Sequence, residues 1–154
     1  MKHLIPEFEK LRSRFPAGFE SSLVLPCLRR IQEDRGHVAD DDIEALTAYL
    51  GVPRIQIEEV LSFYTQFRRK PIGRWHLQFC HNVSCSMRGA EHILSHVEKR
   101  LGIRPGQTTP DGRFTLSTAE CLGSCGTAPM MMVNDGYHEN LTSAKVDALL
   151  EELK

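Results

Sequence analysis

The chain has 154 residues, 41% of them hydrophobic and 25% charged, with a formal net charge of −1. Such values belong to an ordinary globular protein and argue against wholesale disorder. The near-neutral balance also argues against a module that binds nucleic acid through its phosphates. No apolar run approaches the roughly 20 residues of a membrane helix, and the first ten residues carry Glu7 and Glu9 where a secretion signal has its apolar core. The expected setting is the cytoplasm, without direct membrane insertion and without a nucleic-acid partner.

The first half has helical periodicity. Ile5, Phe8, Leu11 and Phe15 predict a helix over 5–15 that Pro16 and Gly18 break. A second helix is predicted from Ser21 to Arg35, with Leu25, Leu28 and Ile31 on one face, Pro26 tolerated in its first turns, and Gly36 at its end. Asp40 is the expected cap of a third, whose apolar face is Ile43, Leu46 and Leu50 and which Gly51 closes before Pro53. A fourth, Arg54 to Phe67, carries Ile57, Val60, Leu61 and Tyr64. Four short amphipathic helices with short connections make a bundle.

The texture changes at Arg68-Arg69-Lys70-Pro71-Ile72-Gly73, a basic, turn-forming stretch that is expected to be a solvated linker and a domain boundary. Trp75 to Phe79 alternates as a strand does, and Ser86 to Leu101 is expected to be one helix with Ile93, Leu94, Val97 and Leu101 on its inner side. A second strand spans Phe114 to Ala119. Met130 to Val133 and Tyr137 to Leu141 flank Asn134-Asp135-Gly136, a hairpin signal whose turn positions favour positive φ. A final helix covers Ser143 to Leu153. The expected fold is α+β: a helical bundle over 1–70, then a thioredoxin-like α/β domain, a small sheet flanked by helices, over 71–154.

Five cysteines stand in this chain, one alone (Cys27) and four in two close pairs. Cys80 and Cys85 form C-x4-C after the first strand; Cys121 and Cys125 form C-x3-C after the second. Strand ends are neighbours in a sheet, so four thiolates can converge although about 35 residues separate the pairs. Four thiolates are what a [2Fe-2S] cluster requires. Cys85, placed just before the expected helix, would gain from its free amides and dipole. Gly123 and Gly126 would let backbone N–H groups approach the sulfurs, a bulky residue at Gly126 being expected to disturb the centre. Structural zinc remains an alternative, although its commonest knuckle is C-x2-C. A disulfide-cycling thioredoxin-like redox protein remains another, although no C-x-x-C opens a helix here.

Other residues have plainer readings. Cys27 lies in an apolar helix and is expected to be packed in the core. Met130-Met131-Met132 reads as strand, His92 and His96 as a surface pair, and Asp40-Asp41-Asp42 as capping and dipole compensation. Phe63, Tyr64 and Phe67 are either core or partner-facing. No G-x-G-x-x-G follows a strand, so neither NAD nor flavin is expected on this chain. Neither a Ser/His/Asp set nor a pair of carboxylates points to a catalytic centre of its own.

The segments Leu61-Ser62-Phe63-Tyr64-Thr65-Gln66-Phe67, Cys80-x4-Cys85 with Met87-Arg88-Gly89-Ala90, and Cys121-Leu122-Gly123-Ser124-Cys125-Gly126-Thr127-Ala128-Pro129 with Val133-Asn134-Asp135 closely resemble the small peripheral iron–sulfur subunits of NADH:quinone oxidoreductase (respiratory complex I). The likeness runs through nearly the whole chain. It implies a helical N-terminal part that docks partners and a thioredoxin-like ferredoxin domain with one [2Fe-2S] cluster. Cys80 and Cys85 would then bind one iron, Cys121 and Cys125 the other. It further implies a flavin-bearing, NADH-oxidising partner subunit that carries FMN and NADH. The same pattern occurs in NAD-linked formate dehydrogenases and hydrogenases, which stay open as hosts; a zinc-stapled adaptor without redox activity is the competing reading of another class.

Overall fold

A computed structural model describes residues 1–153, which divide into two compact units that meet between Pro71 and Ile72. In the first unit α1 (Ile5–Arg12), α2 (Val24–Arg35), α3 (Asp40–Leu50) and α4 (Arg54–Phe63) enclose one core, with short 3-10 turns at Lys2–Leu4 and Glu20–Leu23. Phe8, Cys27, Leu28, Ile31, Ile43, Leu46 and Ile57 are fully buried there, the inward stripes that the 3.6-residue period predicts.

Several helix ends depart from expectation, and α2 begins at Val24, after the 3-10 turn, rather than at the expected Ser21. α1 stops at Arg12, and the amides of Arg14 and Phe15 bond tightly to the carbonyls of Leu11 and Arg12, because Pro16 disfavours helical geometry in the residue before it. Asp40 is not the cap of α3: it occupies the first helical position, and Ala39 stands outside with its N–H donating to Asp42 Oδ2 at 3.0 Å. Asp42, buried, also takes Arg35 Nη1 at 2.6 Å, whereas Asp40 faces Arg54 at 2.7 Å. α4 ends at Phe63, and Tyr64 turns extended (φ −90°, ψ 100°). That exit separates the three aromatics: Phe67 folds back into the core at 8% exposure while Phe63 stands 78% exposed.

The basic stretch after α4 is not a free linker. Arg69 reaches Glu58 at 2.6 Å and Asp40 at 2.8 Å. The backbone of Arg68 donates to Gln32 Oε1 and accepts from the Val38 N–H, both at 2.7 Å.

The second unit is a four-stranded mixed sheet in the order β2-β1-β3-β4, formed by β1 (Trp75–Cys80), β2 (Phe114–Ala119), β3 (Met131–Val133) and β4 (Gly136–His138). β1 and β2 run parallel, with Cys80 level with Ala119; β3 is antiparallel to both β1 and β4. Alternation along β1 sends Leu77 and Phe79 to one face, where they pack with Ile93 and Val97 of α6 (Ala90–Leu101) and Val146 and Leu150 of α7 (Ser143–Glu152). His76 and Ser117, from the opposite face, meet at 2.7 Å. The β3–β4 turn is Asn134–Asp135, and of these two residues only Asn134 has positive φ.

The single helix expected over 86–101 is two. A short α5 (Val83–Met87) precedes α6, and Gly89 between them sits at φ 86°, a left-handed conformation that side chains resist and glycine accepts. Apolar periodicity belongs to α6 alone; upstream of the break Met87 is 83% exposed.

Candidate metal centre

β1 ends at Cys80, and its parallel neighbour β2 ends one residue before Glu120, so both cysteine segments leave the sheet at the same edge. The juxtaposition is tight. The His81 N–H donates to the Ala119 carbonyl at 3.1 Å, and Cys80 Sγ lies 3.9 Å from the Glu120 carbonyl oxygen. Glu120 is the residue before Cys121.

The first pair is built into regular structure and hidden. Cys80, the last residue of β1, and Cys85, inside α5, are 3% and 1% exposed. Asn82 caps α5 by accepting the Val83 N–H at 2.7 Å. Cys85 does not sit ahead of a helix as expected, because α5 starts earlier and closes around it. Burial, and then the neighbouring Cys80 thiol, push the Cys85 thiol above its ordinary range, while an N–H from Met130 pulls the other way; the charge of Cys125 also reaches it.

The second pair is exposed. Cys121 and Cys125 stand in the loop after β2, with one 3-10 turn over Cys125–Thr127 as its regular element. The Gly123 N–H donates to Cys121 Sγ at 3.4 Å, and Gly123 sits at φ 80°. Gly126 makes no comparable approach, and a side-chain carbon there would meet no protein atom within 4 Å. Of the two glycines expected beside the sulfurs, Gly123 is the one whose N–H bonds to sulfur. Loop geometry beyond the sulfurs comes from β4 and the residues after it, which sequence reading did not single out. Their signal in the sequence, Tyr-x-Glu-Asn, is a string of ordinary surface residues.

Among the described residues no three His, Cys, Asp or Glu side chains form a group that could hold one metal ion; a [2Fe-2S] centre asks for only two thiolates at each iron. The donor set fits such a centre. Four free thiols lie in two pairs where β1 and β2 end, and the backbone N–H of Gly123 is directed at the sulfur of Cys121. Burial pushes the Cys85 thiol above its ordinary range, and coordination would release its proton.

Residues of plainer expectation are placed plainly. Cys27 is fully buried within the helical unit, and burial pushes its thiol up to about 12. Met130 and Met131 are buried in the sheet unit, and His96 pairs with Asp147 at 2.9 Å on the surface.

This edge of paired cysteines on a small mixed sheet is that of a ferredoxin, and residues 8–154 match the thioredoxin-like [2Fe-2S] ferredoxin family; the chain belongs to it. It is similar to an NADH-quinone oxidoreductase subunit of Rhizobium meliloti, at 49% identity over 148 residues, 96% of this chain and 87% of the relative. An NADH-quinone oxidoreductase subunit of Thermus thermophilus is 38% identical over 147 residues, 95% of this chain and 81% of the relative. Among solved structures, an NAD+-reducing [NiFe]-hydrogenase in its air-oxidized state superposes with a TM-score of 0.71 at 26% identity. That likeness covers 82% of this chain, which spans 22% of the hydrogenase chain. No described helix is long and apolar enough to cross a membrane.

Proposed function

We propose that this chain is the electron-transfer subunit of an NADH:quinone oxidoreductase, holding one [2Fe-2S] cluster on Cys80, Cys85, Cys121 and Cys125. The observation that carries the reading is the shared sheet edge: Cys80 Sγ lies 3.9 Å from the carbonyl of Glu120, so the two pairs start side by side. When bound, the cluster takes up and returns one electron at a time. The chain's own residues hold the sulfurs. β1 and α5 fix the first pair in a water-poor setting, and in the exposed second pair the Gly123 N–H favours added negative charge on Cys121.

One-electron carriage requires a partner that handles hydride, and we assign that role to a flavin subunit with FMN and the NADH site. The helical unit over 1–70 is its docking element, and the assembly works at the cytoplasmic face of the membrane. A quinone-linked host is favoured over a hydrogen-linked one by identities of 49% and 38% against 26%.

Anaerobically purified protein is expected to hold two irons and two sulfides per chain, with visible absorption that bleaches on reduction and a spin signal only in the reduced state. Colourless protein with zinc and no labile sulfide overturns the reading. Copurification with a flavin- and NADH-binding chain tests the host; hydrogenase or formate dehydrogenase chains in its place would reassign it.

A further inference from the structure

The two exposed cysteines sit in a loop whose conformation is set from outside it. Four hydrogen bonds run from residues 137–140 to residues 122–127. The Tyr137 phenol donates to the Leu122 carbonyl at 2.7 Å. Glu139 Oε1 takes the Thr127 hydroxyl at 2.6 Å and also the Ser124 hydroxyl. The Asn140 N–H donates to the Thr127 carbonyl at 2.7 Å. Ser124 lies between Gly123 and Cys125, and Thr127 ends the 3-10 turn that Cys125 begins. One carboxylate oxygen therefore gathers both ends of the turn that presents Cys125.

The chemistry suits the task. Hydroxyls bonded to an ionised carboxylate make stronger hydrogen bonds than neutral pairs. Those two hydroxyls hold the Glu139 carboxyl below its ordinary range, so it stays ionised at neutral pH. Ser124 Oγ and Thr127 Oγ1 lie only 2.7 Å apart, a spacing that a common acceptor stabilises. Cys80 and Cys85 need no such help, being held by a strand end and a capped helix.

We infer that Glu139 is the positioning residue of the Cys121–Cys125 loop, assisted by Tyr137, and that it holds these two thiols at the spacing a [2Fe-2S] cluster needs. The inference rests on the proposed cluster. Residues one shell beyond a metal's ligands commonly carry tenfold or more of its affinity.

The full chain is purified or reconstituted anaerobically as wild type, Glu139→Ala, Glu139→Gln and Tyr137→Phe. Iron and sulfide content, the spin spectrum of the reduced protein, the midpoint potential and the rate of bleaching by an iron chelator are measured. Glu139→Ala is expected to lose its cluster about tenfold faster than wild type, with altered g-values and a moved potential. Glu139→Gln, which keeps an acceptor oxygen but gives up the charge that strengthens both bonds, is expected to lose its cluster at a rate between wild type and Glu139→Ala, with the wild-type spectral shape. Tyr137→Phe, an exposed change that spares the sheet, falls between them and decides the matter if Glu139→Ala does not fold. A loaded Glu139→Ala that matches wild type in rate, spectrum and potential overturns the inference and leaves the cluster in place. Equal damage in Glu139→Gln also overturns it, because charge and not the shared acceptor would then be responsible. Wild-type protein that takes up no iron and sulfide removes the functional reading and this inference together.

Discussion

The two cysteine pairs reach the same edge of one sheet by different means. Cys80 and Cys85 are buried members of a strand and a helix, so the forces that fold the sheet also place their sulfurs. Cys121 and Cys125 are exposed in a loop, and hydrogen bonds from a separate strand end shape it. A ligand placed by core packing is rigid before metal arrives. One placed by surface hydrogen bonds can open at small cost, because such regions have few buried apolar contacts. The structure thus combines a fixed pair with an adjustable one.

Serine substitution gives the largest effects and sharpens the contrast. Cys85→Ser and Cys121→Ser are both expected to bring iron from two per chain to near zero. Their metal-free forms should differ: Cys85→Ser puts a hydroxyl into a buried site and costs about 1–3 kcal/mol if that hydroxyl finds no partner, whereas the exposed Cys121→Ser changes stability by less than about 0.5 kcal/mol. Denaturant unfolding of the two metal-free proteins reads the difference. Equal stabilities would break the distinction between packed and laced cysteines.

Alkylation of the metal-free wild type at pH 8 is the next test. Cys121 and Cys125 should react at least about tenfold faster than Cys85, whose thiol is hidden and held protonated by burial. Cys27 should stay unlabelled until the chain unfolds. Mass spectrometry of the modified peptides against time gives the order. Early labelling of Cys85 would mean that α5 opens as readily as the loop.

Glycine substitutions divide the adjustable segment itself. Gly123→Ala forces a side chain into a left-handed conformation and should weaken the loop by about 1–2 kcal/mol. Gly126→Ala has open space and no such φ, and should change chelator resistance by less than about twofold. Comparable losses at both positions would show that the N–H of Gly126 also serves the sulfurs.

Alkaline pH supplies a control outside the site. Burial raises the Cys27 thiol to about 12, and burial with the Glu9 hydrogen bond raises Tyr49 to about 12 as well. Both folded values lie above the unfolded ones, so the unfolded chain loses these protons first. Stability is full below about pH 9 and is lost as pH rises from there towards 12. Cys27→Val should flatten that slope in urea unfolding of the helical unit while leaving the cysteine pairs untouched; an unchanged slope would place the alkaline loss elsewhere.

Legibility in the sequence followed the range of the forces involved. The strand Phe114 to Ala119 was readable to the residue, because alternation and flanking turns are local signals. The exit at Phe63 was not, since the place of Phe67 depends on a core assembled from four helices. Asp40 and Asp42 are alike in sequence, and only packing beside Arg35 selects Asp42 as the buried one. The break at Gly89 was hidden for a related reason: a glycine within a helical stretch is a weak signal until its φ is known.

By itself the order of residues carried the four-thiol pattern and the family likeness, because thiol count, spacing and strand-end placement are written directly in the chain. Only the tertiary structure decided which pair is buried, which glycine reaches a sulfur, and that Glu139 and Tyr137 grip the exposed loop. Those outcomes depend on parallel pairing of β1 with β2 and on the hairpin that pairs β4 with β3. Contacts between residues distant along the chain leave no periodic trace in it. They exist once the sheet has formed.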